Sequence, residues 1–198
     1  MSQTIYFDLE TGGVQPHHPN IQIAAIAVDD ATGSELSKLE CKIKFDTSEC
    51  DPEALKLNGY TPEAWKDAFS VALAVATFTK WSEPFRCVPM VSKRNGKPYS
   101  VAKLAGHNVS TFDLPRLKAM YGDHFFPFSY FAKDTLQRAL WYFDEYPAIA
   151  RPESLKLGVL CKHFGIDTAG AHDALADVRM AAALARVFRM SVPTEACR

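Results

Sequence analysis

Along the first 45 residues, apolar and polar positions alternate with a period of two. In Thr4 to Leu9, the residues Ile5, Phe7 and Leu9 fall on one face and Tyr6, Asp8 and Glu10 on the other, which predicts a strand. Gly12-Gly13 and the stretch from Pro16 to Asn20 break the run, and a second apolar run, Ile21 to Val28, follows at hairpin distance. Leu39 to Phe45 then alternates strictly, with Leu39, Cys41, Ile43 and Phe45 inward and Lys38, Glu40, Lys42 and Lys44 outward. That is the pattern of a half-buried antiparallel strand, and its lysines suit a sheet edge. A three-stranded meander is expected to open the domain.

The period then lengthens. Asp51-Pro52-Glu53 and Thr61-Pro62-Glu63 each resemble a capped helix start with proline in the first turn, and Phe69 to Trp81 is a longer helical run. Val88 to Ala105 is strand material interrupted by Asn95-Gly96, a two-residue hairpin signal, and Leu104 to His107 is expected to return to the central sheet. Helical patterns at 111–121, 135–145, 154–164 and 173–190 close the chain. In the last of them Leu175, Val178, Ala182, Ala185 and Phe188 form one apolar stripe. Strands first, then helices around a mixed sheet, predict an α/β domain of three layers.

Composition narrows this picture. The chain has 198 residues, 47% of them hydrophobic, which suits one well-cored domain spanning 1–198. Its 22 basic and 23 acidic side chains leave a net charge of −1, so any contact with nucleic acid must be local or metal-mediated. Five cysteines without a Cys-x-x-Cys pair point to reduced thiols in a cytoplasmic protein rather than to a disulfide or zinc scaffold. No basic segment and apolar run precede Thr4, and no window approaches about 18 uninterrupted apolar residues, so neither a signal peptide nor a membrane span is expected. Lys93, Arg94, Lys97 and Lys103 concentrate charge on what looks like a basic hairpin inserted at about 88–103, either plainly solvated or a lid on a nucleic-acid backbone. The aromatic run from Phe125 to Tyr146 suits core or a homodimer interface better than base stacking.

The candidate chemistry lies in scattered acids. Asp8 and Glu10, two apart on a strand, share a face with Cα atoms about 6.6 Å apart, and the longer Glu can lean back so that the pair straddles two metal ions about 4 Å apart. A lone Asp-x-Glu is more often a solvated strand end, but the glycine turn after Thr11 brings backbone close to whatever the carboxylates hold. His172 and Asp177 are five apart, about 140° out of phase on one helix, and converge only if His172 lies on the incoming loop. Asp173 then fits the N-cap, although it also rivals Asp177 as a ligand. Asp113 lies near a helix start that Ser110 or Thr111 can cap, and by itself it equally answers the helix dipole. Asp134 reads as a helix cap or a partner of such groups.

Taken together, Asp8-Leu9-Glu10-Thr11-Gly12, His107-Asn108 through Phe112-Asp113-Leu114, and His172-Asp173-Ala174-Leu175-Ala176-Asp177 resemble, in order and spacing, the three motifs of the DEDDh (DnaQ-like) 3′→5′ exonucleases. The resemblance covers roughly residues 4–190. It implies a ribonuclease-H-like fold with a mixed central sheet, and two Mg²⁺ or Mn²⁺ ions held by Asp8, Glu10, Asp113 and Asp177. It further implies His172 as general base, with Leu9, Thr11, Gly12 and Asn108 toward the terminal nucleotide. The implied substrate is a nucleic-acid 3′ end, single-stranded DNA favoured over RNA, and the implied product a nucleoside 5′-monophosphate. The alternatives are a catalytically silent nucleic-acid-binding module on the same fold and a phosphatase or cyclic-nucleotide hydrolase using the same metals.

Overall fold

The computed structural model describes residues 2–170 and 173–190. Its strands are β1 (Gln3–Thr11), β2 (Asn20–Asp29), β3 (Glu35–Lys42), β4 (Arg86–Val91), β5 (Pro98–Gly106) and β6 (Phe128–Asp134). Its helices are α1 (Pro52–Leu57), α2 (Val71–Ser82), α3 (Asp113–Tyr121), α4 (Thr135–Glu145), α5 (Leu157–His163) and α6 (Ala174–Met190). The expected meander is present: β1, β2 and β3 pair antiparallel in sequence order, and β3 with its lysines is the edge. β5 lies parallel to β1 on the other side, β6 pairs parallel with β5, and β4 pairs antiparallel with β5. The sheet is therefore mixed.

The period-two pattern of β1 decides what covers each face. Ile5, Phe7 and Leu9 are buried with Ile23, Ala25 and Cys41 against Phe78 of α2 and Leu117 and Tyr121 of α3. Phe78 has no exposed surface, and its ring stacks on that of Phe128 at 4.8 Å between centroids. On the opposite face Tyr6, Ala24, Ile26 and Val28 meet Leu175, Val178 and Ala181 of α6. Small side chains at Ala24 and Ala105 let that helix approach the sheet closely. Leu184 and Phe188 continue the α6 stripe into a cluster with Ala139, Tyr142 and Phe143 of α4 and Leu160 of α5. Helices on both faces give the three layers. Among the described residues no helix is long and apolar enough to cross a membrane.

Several local expectations are corrected. The run 61–67 forms turns rather than a helix, because the indole of Trp65 reaches back to the Ile21 carbonyl (3.2 Å) and Phe69 must bridge to Ile43. Asn95-Gly96 is not a two-residue turn. Ser92 and Lys97 close a longer loop, with Ser92 N–H donating to the Lys97 carbonyl at 2.9 Å and Gly96 (φ 70°) donating to Ser92 at 2.8 Å. Nor is the hairpin an appendage. β5 runs unbroken from the hairpin into the centre of the sheet, its first half paired with β4 and its second with β1. Lys93, Arg94 and Lys97 are exposed at its tip, but Lys103 turns away to Asp30 (2.9 Å). β6 is a strand that the residue pattern did not announce. Of the aromatic run, Phe126, Phe128, Tyr142 and Phe143 are core, whereas Phe125, Tyr130, Phe131 and Trp141 are exposed.

Two consequences are measurable. Phe78→Ala removes a ring from the centre of the first core and is expected to cost about 3–5 kcal/mol, read as a lower denaturation midpoint with an unchanged slope. Asp30 is pushed up by burial, but hydrogen bonds from Ser2 (2.6 Å), Thr4 (2.7 Å) and Lys103 outweigh this and hold its carboxyl at about 2. The unfolded chain thus binds the proton more tightly, so the contribution is complete above the unfolded value of about 3.9 and is lost as pH falls toward 2. The stability gap between the wild type and Asp30→Asn should accordingly shrink from pH 5 to pH 2 in urea titrations.

Candidate active site

β1 carries Asp8 and Glu10 onto the face covered by α6, opposite Ala24 and Gln22 of β2. A register shift between Glu10 and Thr11 ends the regular pairing there, and the chain turns away. At Gly12 a Cβ would lie 2.4 Å from the sulfur of Cys50, and at Gly13 (φ 152°) it would strike the ring of His18, so only glycine fits this turn. Asp173 caps α6, its carboxylate accepting the Ala176 N–H at 3.0 Å, while its carbonyl accepts the Asp177 N–H at 2.9 Å. Asp177 is thereby set in the first turn of α6, over the strand end.

The second motif begins where β5 leaves the sheet. Asn108 is the one non-glycine residue with positive φ among those described (58°), a conformation that asparagine tolerates. Asp134 fixes it. Its carboxylate accepts N–H bonds from Asn108 (3.0 Å) and Ser110 (2.9 Å) while capping α4 through Leu136 (2.9 Å) and Gln137 (3.4 Å). The expected cap and the expected partner role are thus one residue. His107 joins the same corner through its Nδ1, 2.9 Å from the Thr135 hydroxyl. Neither Ser110 nor Thr111 caps α3. The Thr111 hydroxyl is spent on Asn108 Oδ1 (2.7 Å), and Phe112 occupies the cap position without a side-chain bond.

Asp113 opens α3 and is buried. Its Oδ1 accepts the Leu9 N–H at 3.1 Å. The last residue pair joining β1 to β5 is Tyr6 with Ala105, so beyond it the carboxylate takes the place of a strand beside β1. By this route a residue more than 100 positions away is locked onto the strand that carries Asp8 and Glu10.

Asp8, Glu10, Asp113 and Asp177 line one cleft of about 250 Å³. Of the other expected contacts, Leu9, Thr11 and Asn108 line it too. Gly12 does not; it is pressed against Cys50, and Gly13 takes the cleft wall in its stead. His172 lies outside the described residues. Residues that the sequence did not flag complete the walls: Val14 on the loop, Ala54, Leu57 and Asn58 at the end of α1, and His107 and Phe112. Asn58 Nδ2 donates to the Thr11 carbonyl at 2.9 Å, which docks α1 onto the strand end. The Asp-Pro-Glu start foretold this helix, but nothing local foretold where it would dock.

Among the described residues, no lysine or arginine lines the cleft. Burial, followed by the neighbouring Asp177, pushes the Asp8 carboxyl well above the usual range. Burial, then Asp8, Asp177 and Asp173, raises Glu10 to about 8. Burial and Asp8 raise Asp113 as well, against the pull of the Leu9 N–H. Among the described residues no three acidic, histidine or cysteine side chains are gathered into a ready-made metal cage. The acids share a cleft but do not close on a point, as like charges without a counterion should not. A larger cavity of about 670 Å³ between α4, α6 and the sheet holds none of the four.

Comparison with known proteins bears on the fold. The family model described as Exonuclease (RNase_T) matches residues 5–90. No curated protein matches the chain. Among solved structures, exonuclease I from Methylocaldum szegediense superposes with a TM-score of 0.74 at 22% identity, over 98% of this chain and 42% of that one. The zinc-bound complex of E. coli exonuclease I with single-stranded DNA gives 0.73 at 23% identity, over 98% and 41%. E. coli exonuclease I with a dT13 oligonucleotide gives 0.69 at 23%, over 96% and 41%. The present chain thus spans about two fifths of the length of these proteins. Residues 5–90 match the Exonuclease (RNase_T) model, and the chain as a whole takes the fold seen in exonuclease I.

Proposed function

We propose that this chain is a metal-dependent 3′→5′ exonuclease that hydrolyses the terminal phosphodiester of nucleic acid, preferentially single-stranded DNA, and releases nucleoside 5′-monophosphates. The observation that carries the proposal is the convergence of Asp8, Glu10, Asp113 and Asp177, from three distant segments, on one cleft that no described lysine or arginine lines. Four carboxylates alone repel a phosphodiester. Their hard oxygen donors suit Mg²⁺ or Mn²⁺, and the raised proton affinity of Asp8, Glu10 and Asp113 marks a site whose anionic form requires cations. Two such ions, when bound, supply an acidified water and a counter-charge for the leaving oxygen.

The chain's own groups have distinct tasks. Asp8, Glu10, Asp113 and Asp177 would hold the ions. His172 would take the proton from the attacking water, for which an imidazole of pKa about 6.5 is suited near neutrality. Leu9, Thr11 and Asn108 would meet the terminal nucleotide, Gly12 would shape the turn behind it, and Asn58 and Phe112 join them on the cleft wall. Complexes of E. coli exonuclease I with single-stranded DNA support the choice of substrate by analogy of fold.

Purified protein should shorten a 5′-labelled single strand with Mg²⁺ or Mn²⁺ and stop on addition of EDTA. Asp8→Ala should lower turnover at least about 100-fold, or ~2.7 kcal/mol of barrier; full activity in that variant would refute the assignment. His172→Ala should lose turnover yet still bind Mn²⁺ in calorimetry, and loss of metal binding would contradict its role as base. Metal and DNA binding without any cleavage by the wild type would indicate the silent binding module instead.

A second test needs no substrate. Glu10 has a folded-state pKa of about 8, above its ordinary value of 4.5, so the metal-free native state binds more protons than the unfolded chain. Its contribution to stability therefore declines as pH rises from about 4.5 through 8. In EDTA at pH 8.5, Glu10→Gln should melt higher than the wild type, by about 2–4 °C for each ~1 kcal/mol relieved. The gap should close at pH 5, and Mg²⁺ should raise the melting temperature of the wild type more than that of the variant. Equal melting of the two proteins at pH 8.5 would show that the cleft stores no such repulsion.

A further inference from the structure

Arg116 lies on α3, one turn beyond Asp113, and is not among the cleft-lining residues. Its guanidinium donates to three carbonyls of the loop that follows β1: Val14 at 3.0 Å, Gln15 at 2.8 Å and His18 at 3.1 Å. The same group lies 4.5 Å from the centre of the Phe112 ring. Val14 and Phe112 both line the cleft, and Val14 exposes 76% of its surface. One planar cation therefore links two apolar side chains that come from segments about 100 residues apart.

The loop has little else to hold it to α3. Val14, Gln15, Pro16 and His17 are exposed, so burial contributes little. Of the other bonds of this loop, His18 N–H to the Gln15 carbonyl (3.0 Å) and Gln15 N–H to the His18 ring (3.3 Å) join it to itself, and the Thr11 hydroxyl, donating to the Gly13 carbonyl (2.9 Å), ties its buried base to β1 rather than to α3. A segment with few buried contacts opens readily unless a specific bond prevents it. Arginine alone offers the rigid fork of donors that three carbonyls require, whereas a lysine ammonium is a point charge on a flexible stem.

We infer that Arg116 is a positioning residue that clamps the loop 13–18 to α3 and so holds Val14 and Phe112 as an apolar jaw on the cleft. The ligand of the jaw is the base or ribose face of an unstacked nucleotide at the 3′ end, which presents an apolar surface beside its phosphate. This rests on the exonuclease reading of the site. Releasing the clamp widens the entrance without displacing the carboxylates, so substrate capture weakens while the chemical step is preserved.

The experiment compares the wild type with Arg116→Ala and Arg116→Lys, full chain, on a single-stranded DNA oligonucleotide with Mn²⁺. Hydrogen exchange of the loop amides is measured on the same proteins without substrate. Both variants should raise KM about tenfold or more with kcat changed less than about threefold, the signature of lost binding rather than lost catalysis. Loop amides of 13–18 should exchange about tenfold faster in both, with those of β1 and β2 unchanged. Lysine should fail to rescue either quantity. An unaltered KM, a fall confined to kcat, or full rescue by lysine would overturn the jaw. Unaltered loop exchange would overturn the clamp whether or not the protein cuts DNA. If the wild type degrades no nucleic acid, the exonuclease reading and the jaw built on it fail together, and exchange alone decides the clamp.

Discussion

Repulsion among four carboxylates on one cleft is the constraint around which this domain is organised. Each has been partly removed from water; Asp177 raises the proton affinity of Asp8 and Glu10, Asp8 that of Glu10 and Asp113, and Glu10 that of Asp113. Left to themselves such groups would splay apart or protonate. The fold prevents splaying by fastening each carrier separately. Asp8 and Glu10 sit on a strand paired with β2, Asp177 is held by the capped first turn of α6, and Asp113 is bound directly to the β1 backbone through Leu9. Among the described residues no lysine or arginine lines the cleft, which suits an exogenous cation as partner.

Asp134 shows by contrast what a structural carboxylate looks like. It sits within the same corner, two elements from Asp113, yet its oxygens face four backbone N–H groups and none of the other acids. A carboxylate satisfied in this way ties α4 to the exit of β5 and has little capacity left for a ligand. Asp8, Glu10 and Asp113 have the reverse balance, with few fixed donors and acidic neighbours. Donor count therefore separates the two kinds of acid in this molecule more sharply than burial does, since both kinds are largely enclosed.

Much of the fold was legible because it is written in local periods. The strict alternation through β1 and β3 and the 3.6-residue stripe of α6 specify which face is buried, and α4 ends where the pattern at 135–145 ends. The misreadings share a cause: tertiary partners overrode or supplied the local signal. The Thr-Pro-Glu segment at 61–63 has a good helix start but gives up the helix so that Trp65 can reach Ile21. β6 reads as mere aromatic crowding because a register shift in its pairing with β5 leaves Tyr130 and Phe131 exposed where alternation would alert a reader. The four acids were legible as three short motifs in order. The remainder of the cleft wall was not, because Asn58, Phe112 and Val14 carry no chemistry of their own until the chain folds.

This division has a mechanical counterpart. Three of the acids stand on β1 and α6, whose inward faces are enclosed, and the fourth, Asp113, opens α3 and is bonded to β1. The opposite wall is made of α1, six residues long with none buried, and of an exposed loop. A helix of that length is not stable by itself. Its place rests on Asn58 bonding to Thr11, on the Asp51 N–H bond to the Gly12 carbonyl and on Leu55 against the Trp65 cluster, and the loop's place on the three bonds of Arg116. The cleft thus has one side fixed by deep packing and another fixed by a few hydrogen bonds and light packing, which are cheaper to break. Under the proposed function, a site that aligned a phosphodiester while admitting successive, chemically different bases would be served by that asymmetry, with precision on the wall that holds charge and tolerance on the other.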